Sequence, residues 1–110
     1  MELAYRVGVI GDLETVIGFG LAGVADLHVR RSREENLAAL RKMVEGGRVG
    51  IIFVTAGVAE ELEPEIERLR ERPLPIIVTI PDSRGTAPKV DELERIIRRT
   101  LGAKIVVGEE

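Results

Sequence analysis

Val49-Gly50-Ile51-Ile52-Phe53-Val54-Thr55 is an uninterrupted apolar run with no polar alternation. A run of this length and β-branched content reads as a central strand of a parallel sheet, buried on both faces. Upstream, Ser32-Arg33-Glu34-Glu35 is a capping box: the Ser32 hydroxyl can accept from the Glu35 amide while the Glu35 side chain returns to the Ser32 amide. A helix therefore starts there, carries Leu37, Leu40 and Val44 on one face, and stops at Gly46-Gly47.

Further upstream, Val7-Gly8-Val9-Ile10 is a first strand closed by Gly11-Asp12. Asp12 is placed to cap the next helix, with Glu14 in the first turn, where the macrodipole favours an acid. Leu27-His28-Val29 is a shorter second strand, expected at a sheet edge. Downstream of the central run, Val58, Leu62, Ile66 and Leu69 form the buried stripe of a third helix. Its other face carries Glu60, Glu61, Glu63, Glu65, Glu67 and Glu71 against Arg68, Arg70 and Arg72, and is net acidic. Pro64 cannot donate its amide, so this helix either begins in earnest there or bends around it. Pro75 to Ile80 is a fourth strand, ended by Pro81.

Pro81-Asp82-Ser83-Arg84-Gly85-Thr86-Ala87-Pro88 holds two prolines, a glycine and no apolar stripe, the composition of a linker. Beyond it Val90, Leu93, Ile96, Ile97 and Leu101 mark a last amphipathic helix, with Asp91 and Glu92 early and Arg95, Arg98 and Arg99 late. Lys104 to Val107 reads as a terminal strand or a docked tail. The expected fold is α/β: a small single-domain, parallel four-stranded sheet with alternating helices, of Rossmann-like or receiver-like topology, with a C-terminal helix on a flexible linker. Residues 1–81 form the core, 82–88 the linker and 89–110 the C-terminal helix and tail, within one structural domain.

Composition narrows the function. A 110-residue chain with 45% hydrophobic and 32% charged residues is one ordinary globular domain. A formal charge of −3 and only Tyr5, Phe19 and Phe53 as aromatics argue against a nucleic-acid partner. The absence of cysteine removes disulfides and thiolate chemistry, and fits a reducing compartment. The uncharged runs Thr15–Ala25 and Val49–Ala59 are too short to span a bilayer, and the start lacks a secretory signal pattern, so the chain reads as cytoplasmic without direct membrane insertion.

Gly18-Phe19-Gly20-Leu21-Ala22-Gly23 spells a dinucleotide-binding string, but it follows the first strand by about two helical turns, too late for the glycines to meet a pyrophosphate. The glycines are read instead as permitting close packing on the sheet or on a partner. A phosphoacceptor domain would need an aspartate where Thr55-Ala56 stands, which leaves Asp12 as a helix cap. His28 is the sole histidine, so no histidine-based metal site or triad can be built within one chain, and it reads as a surface residue of an edge strand. The glutamates of the third helix are a solvated face. No catalytic residue, cofactor or metal is expected.

Val9-Ile10-Gly11-Asp12, Thr15-Val16 and Gly18-Phe19-x-Leu21-Ala22-Gly23-Val24 together resemble the N-terminal signature of the F subunits of archaeal-type and vacuolar-type rotary ATP synthases. The resemblance runs on through Ile51 to Thr55 with Ala59-Glu60, Pro75 to Pro81, and Ile97-Arg98-Arg99-x-Leu101-Gly102, covering nearly the whole chain in order. The chain departs from the family pattern at Ile17, Gly20 and Ala56, and the Gly20 change creates the dinucleotide string. The resemblance implies a non-catalytic central-stalk subunit docked on the coiled-coil D subunit, rotating inside the catalytic A/B hexamer and contributing to coupling. In that setting the linker, with Pro81, Gly85 and Pro88 as hinge candidates, would let the C-terminal helix be retracted or extended. Leu93, Arg95, Ile96, Ile97, Arg98 and Arg99 are then the expected partner contacts. The alternative is a stand-alone small-ligand or nucleotide-binding domain using Gly11-Asp12 and Thr55 at the strand ends.

Overall fold

The computed structural model describes residues 5–85. Its elements are β1 (Arg6–Gly11), α1 (Leu13–Leu21), β2 (Asp26–Val29), α2 (Arg33–Gly46), β3 (Val49–Thr55), α3 (Ala56–Glu61), α4 (Glu63–Leu69) and β4 (Ile76–Ile80). All strand pairs are parallel, in the order β2-β1-β3-β4, so the direction of strand addition reverses between β1 and β3. The expected four-stranded α/β sheet is what forms. The C-terminal helix and tail over 89–110, and the linker from 86, lie outside the described residues.

The two faces of the sheet are covered unequally. On one, α2, α3 and α4 bury Leu40, Val58, Leu62 and Ile66 against Ile10, Ile52, Val54 and Ile77. Each such side chain contributes roughly 1.5–3 kcal/mol relative to exposure. On the other, α1 is the one helix among the described residues. It turns Val16 inward, stacks Phe19 on Phe53 of β3 at 5.4 Å between ring centres, and packs Gly20 over β2. A Cβ at Gly20 would stand 3.1 Å from Leu27 Cδ1, so its absence lets α1 lie close to the sheet.

The local signals act as the sequence predicts. Asp12 caps α1 and Ser32 caps α2, where both halves of the capping box with Glu35 are present. Gly47 closes α2 at φ 73°, the left-handed conformation that a residue with a Cβ resists. The dinucleotide-like string has no glycine at the β1–α1 turn: Gly18 and Gly20 lie in the second half of α1, and Gly23 follows it at φ 106°.

The third helix is two. It breaks at Leu62, whose φ of −107° and ψ of 22° are not helical, and Pro64 occupies the first turn of α4, where its missing N–H is not needed. The apolar stripe nonetheless runs through the break, since the Leu62 N–H donates to Val58 O and the Ile66 N–H to Leu62 O. Just past α4, the Arg70 guanidinium, largely buried, donates to the Glu67 carboxylate at 2.9 Å, to Ile77 O at 3.3 Å and to Thr79 Oγ1 at 3.4 Å, tying the helix end to β4.

The first half of the linker differs from an extended chain. Asp82 to Gly85 closes into a turn: the Gly85 N–H donates to Asp82 O, the Arg84 N–H donates to the Asp82 carboxylate, and Gly85 takes φ 90°. Asp82 closes such a turn because its short side chain reaches the backbone two residues on. The Ser83 hydroxyl donates to Glu14 Oε1 at 3.4 Å, which sets the chain beside the start of α1.

Candidate functional site

Doubly wound sheets bind ligands outside the strand C-termini, where the strand order reverses. Here that position lies between Gly11-Asp12 after β1 and Thr55 to Gly57 after β3. Two of the chain's own side chains enter it. Thr55 is buried and packs directly on the Cα of Gly11, so that a methyl added there would overlap it. Arg30 follows β2, donates its N–H to Gly11 O at 2.7 Å, and lays its guanidinium on Gly57, where an added Cβ would stand 2.7 Å from Nη1.

Asp12 is equally committed. Its carboxylate accepts from the Thr15 hydroxyl at 2.7 Å and the Thr15 N–H at 3.3 Å. Burial alone would push the Asp12 carboxyl up, but the nearby Ser83 hydroxyl, with hydrogen bonds from the Thr15 hydroxyl, the Thr15 amide and the Asp12 amide itself, outweighs it and holds the pKa at about 2. The group is an ionised cap rather than a proton donor at neutral pH. The Ser32 hydroxyl and amide likewise hold Glu35 below the usual carboxylate range. Among the described residues no three His, Asp or Glu side chains gather as a metal site would require.

His28, read as a bland edge-strand residue, takes part in a buried cluster that the sequence did not announce. Asn36, in the first turn of α2, is fully buried. Its oxygen accepts from the Arg31 N–H at 2.9 Å and lies 3.1 Å from His28 Nε2, and its nitrogen donates to Arg31 O at 3.3 Å and to Glu61 Oε1 at 3.0 Å. One carboxamide thus joins β2, the β2–α2 loop, α2 and α3.

Two hollows lined by described residues lie elsewhere. One of about 390 Å³ opens at the base of the sheet beside the Arg6–Asp26 ion pair, and one of about 340 Å³ lies between α2 and α4, rimmed by Arg41, Arg68 and Arg72.

The larger feature is apolar surface. Leu13, Ile17 and Leu21 repeat every fourth residue along α1 and are 53%, 50% and 85% exposed. On the same face of the sheet, the β3–β4 register sets Ile51 beside Ile76, and sets Phe53, itself stacked under Phe19 of α1, beside Val78, with Ile80 beyond. Ile76 is 41% exposed, and no helix among the described residues lies over this half of the sheet. The α1 stripe was legible as fourfold apolar spacing next to the uncharged run Thr15–Ala25. Of the hinge candidates, Pro81 is exposed and Gly85 ends the turn. Pro88 and the expected contacts Leu93, Arg95, Ile96, Ile97, Arg98 and Arg99 lie outside the described residues.

These features define a doubly wound parallel α/β domain whose strand-end crevice is entered by Thr55 and Arg30 and in which no helix among the described residues covers the apolar side chains Leu13, Ile17 and Leu21 of α1 or Ile76 of β4. The chain belongs to the ATP synthase (F/14-kDa) subunit family, whose model matches residues 7–97. It is 31% identical over 100 residues to the F subunit of the A-type ATP synthase of Methanocaldococcus jannaschii, covering 91% of this chain and 98% of that one. It is 36% identical over 108 residues to the corresponding protein of Pyrococcus furiosus, covering 91% and 97%. The crystal structure of the F subunit of the V-type ATP synthase from Archaeoglobus fulgidus matches with a TM-score of 0.57 at 27% identity, over 70% of this chain and 98% of that chain. No helix among the described residues is long and apolar enough to cross a membrane.

Proposed function

We propose that this chain is a non-catalytic central-stalk subunit of an A/V-type ATP synthase, docked on the coiled-coil D subunit and contributing to the coupling of nucleotide turnover with ion transport. In this reading it stands in the peripheral sector on the cytoplasmic side, and reaches the catalytic A/B hexamer through its C-terminal helix. The observation that carries the reading is the exchange of roles between two surfaces. The place where doubly wound folds hold ligands is entered by Thr55 and Arg30, while α1 leaves Leu13, Ile17 and Leu21 exposed and β4 leaves Ile76 exposed.

The C-terminal segment supplies the proposed regulation. A helix of about 12 residues is some 18 Å long and marginal alone in water, so its stripe Val90, Leu93, Ile97 and Leu101 needs a surface. The β3–β4 half-face is one such surface and a partner is the other, with Arg95, Arg98 and Arg99 meeting acidic residues in the extended state. Because Asp82 to Gly85 is closed as a turn, the extended reach rests on Thr86 to Pro88, about 10 Å, until that turn opens.

The test is a pull-down of the tagged chain from a membrane extract of its host, with retained chains identified by mass spectrometry. Co-recovery of a coiled-coil stalk protein with the two large ATPase subunits is expected. Recovery of the chain alone would overturn the reading. For the regulatory part, tethering the C-terminal helix to the core by an engineered disulfide should change ATP hydrolysis by the assembled complex, and unchanged hydrolysis at full crosslinking would remove it.

A further inference from the structure

The hollow of about 390 Å³ at the base of the sheet lies between the edge strand β2 and the second half of α2. Its size falls in the range of roughly 300–1,000 Å³ in which small-molecule sites are found. Its floor is apolar: Ala39, Met43 and Val49 line it. Met43 lies down on β1 because Gly8 has no side chain, since a Cβ there would stand 2.8 Å from Met43 Sδ.

The rim is basic. Arg6 at the start of β1, Lys42 on α2 and Arg48 in the α2–β3 turn stand there, with Asp26 as the one acid among the described lining residues. Asp26 Oδ2 lies 2.8 Å from Arg6 Nε and so answers one of the three cations. The side chains of Lys42 and Arg48 have no hydrogen bond or ion pair among the described residues. α2 ends beside them, but the negative pole of a helix amounts to only about half a charge. More than one positive charge is left over at this hollow, in a chain whose net charge is −3.

We propose that the hollow binds a small phosphate monoester, with its phosphate on Lys42 and Arg48 and its uncharged organic body on Met43, Ala39 and Val49. A phosphate matches the surplus better than a carboxylate does, because a monoester carries about −1.5 to −2 at pH 7, and a guanidinium such as that of Arg48 takes two of its oxygens at once. The apolar floor favours an organic body over a free inorganic ion, and Met43 supplies an adaptable surface for it. The hollow sits at the opposite end of the strands from Gly11 and Thr55, so a ligand here is separate from the strand-end crevice and independent of docking on a stalk.

The chain has two methionines, Met1 and Met43, so methyl-labelled methionine gives a local reporter on the floor of the hollow. The free full-length chain is titrated with phenyl phosphate, inorganic phosphate and benzyl alcohol, following the Met43 methyl resonance by NMR. Phenyl phosphate should shift it saturably in the sub-millimolar range, with inorganic phosphate and benzyl alcohol each at least about tenfold weaker. Lys42→Gln and Arg48→Gln, both at exposed positions, should each weaken phenyl phosphate by about tenfold while circular dichroism stays unchanged. Arg41→Gln, on the side of α2 that faces α4, should change it by less than about twofold.

Absence of a saturable Met43 shift up to about 10 mM phenyl phosphate would overturn the site. Binding untouched by both Lys42→Gln and Arg48→Gln would overturn it as well, and equal affinity for inorganic phosphate would overturn the organic body. None of these outcomes bears on co-recovery with the ATPase subunits, which tests the stalk reading separately.

Discussion

The oxygen of Asn36 lies 3.1 Å from His28 Nε2, and this pair joins the edge strand β2 to the first turn of α2 inside a buried cluster. Because the Asn36 nitrogen is spent on Arg31 O and the Glu61 carboxylate, its oxygen is the acceptor, which assigns the proton to His28 Nε2.

Asn36→Ala should therefore destabilise the domain by about 2 kcal/mol, since it strands the Arg31 N–H and carbonyl as well as losing the bond to Glu61. His28→Ala removes one partner at a half-exposed site and should cost about 1 kcal/mol or less. Urea unfolding of the two variants measures the order.

Gly11 and Thr55 form a coupled pair. Gly11→Ala alone should destabilise by about 1–3 kcal/mol through overlap with the Thr55 side chain, and adding Thr55→Ala should recover part of that loss. A double-mutant cycle with no coupling energy would contradict the packing at the strand ends.

The Asp12 pKa is lowered from 3.8 to about 2, so its stabilising contribution is fully present above about pH 4 and is lost as pH falls through about 2. Asp12→Ala should cost about 1 kcal/mol at pH 7, and the gap to the unsubstituted chain should close on acidification toward pH 2. Glu35, also lowered, gives the same sign, so a double variant with Glu35→Gln should show the flatter acid limb.

Calorimetry with ATP, NADH and a flavin is expected to show no tight binding, because Thr55 and Arg30 occupy the strand-end crevice. Binding of any of the three in the low micromolar range, lost on substitution of Arg30, would restore the ligand-binding reading.

The elements whose signals are local were legible in the sequence. The β3 run, the Ser32–Glu35 capping box and the Gly47 stop each depend on neighbours within one turn or one strand, and each forms as read. Pro64 announced a disturbance but not its form, because whether a helix bends or restarts depends on the Val58–Leu62–Ile66 stripe staying seated on the sheet. The Asn36 cluster was hidden because its three partners come from β2, the β2–α2 loop and α3, and only the β2–β1–β3 order brings His28, Arg31 and Glu61 to one carboxamide. On α1 the glycines drew attention as a string, whereas the exposed property is the line of Leu13, Ile17 and Leu21 beside them.

The turn from Asp82 to Gly85 also fixes where a mechanical load would enter the domain. A pull on the chain beyond Gly85 meets the turn and the Ser83–Glu14 contact first, and then β4 behind them in series. Two weak exposed contacts yield before a strand held along its whole length. The domain thus carries a short compliant element between its rigid sheet and everything that follows. Torque delivered through that segment would be felt at the start of α1, the helix that bears the open stripe, before the sheet registers it.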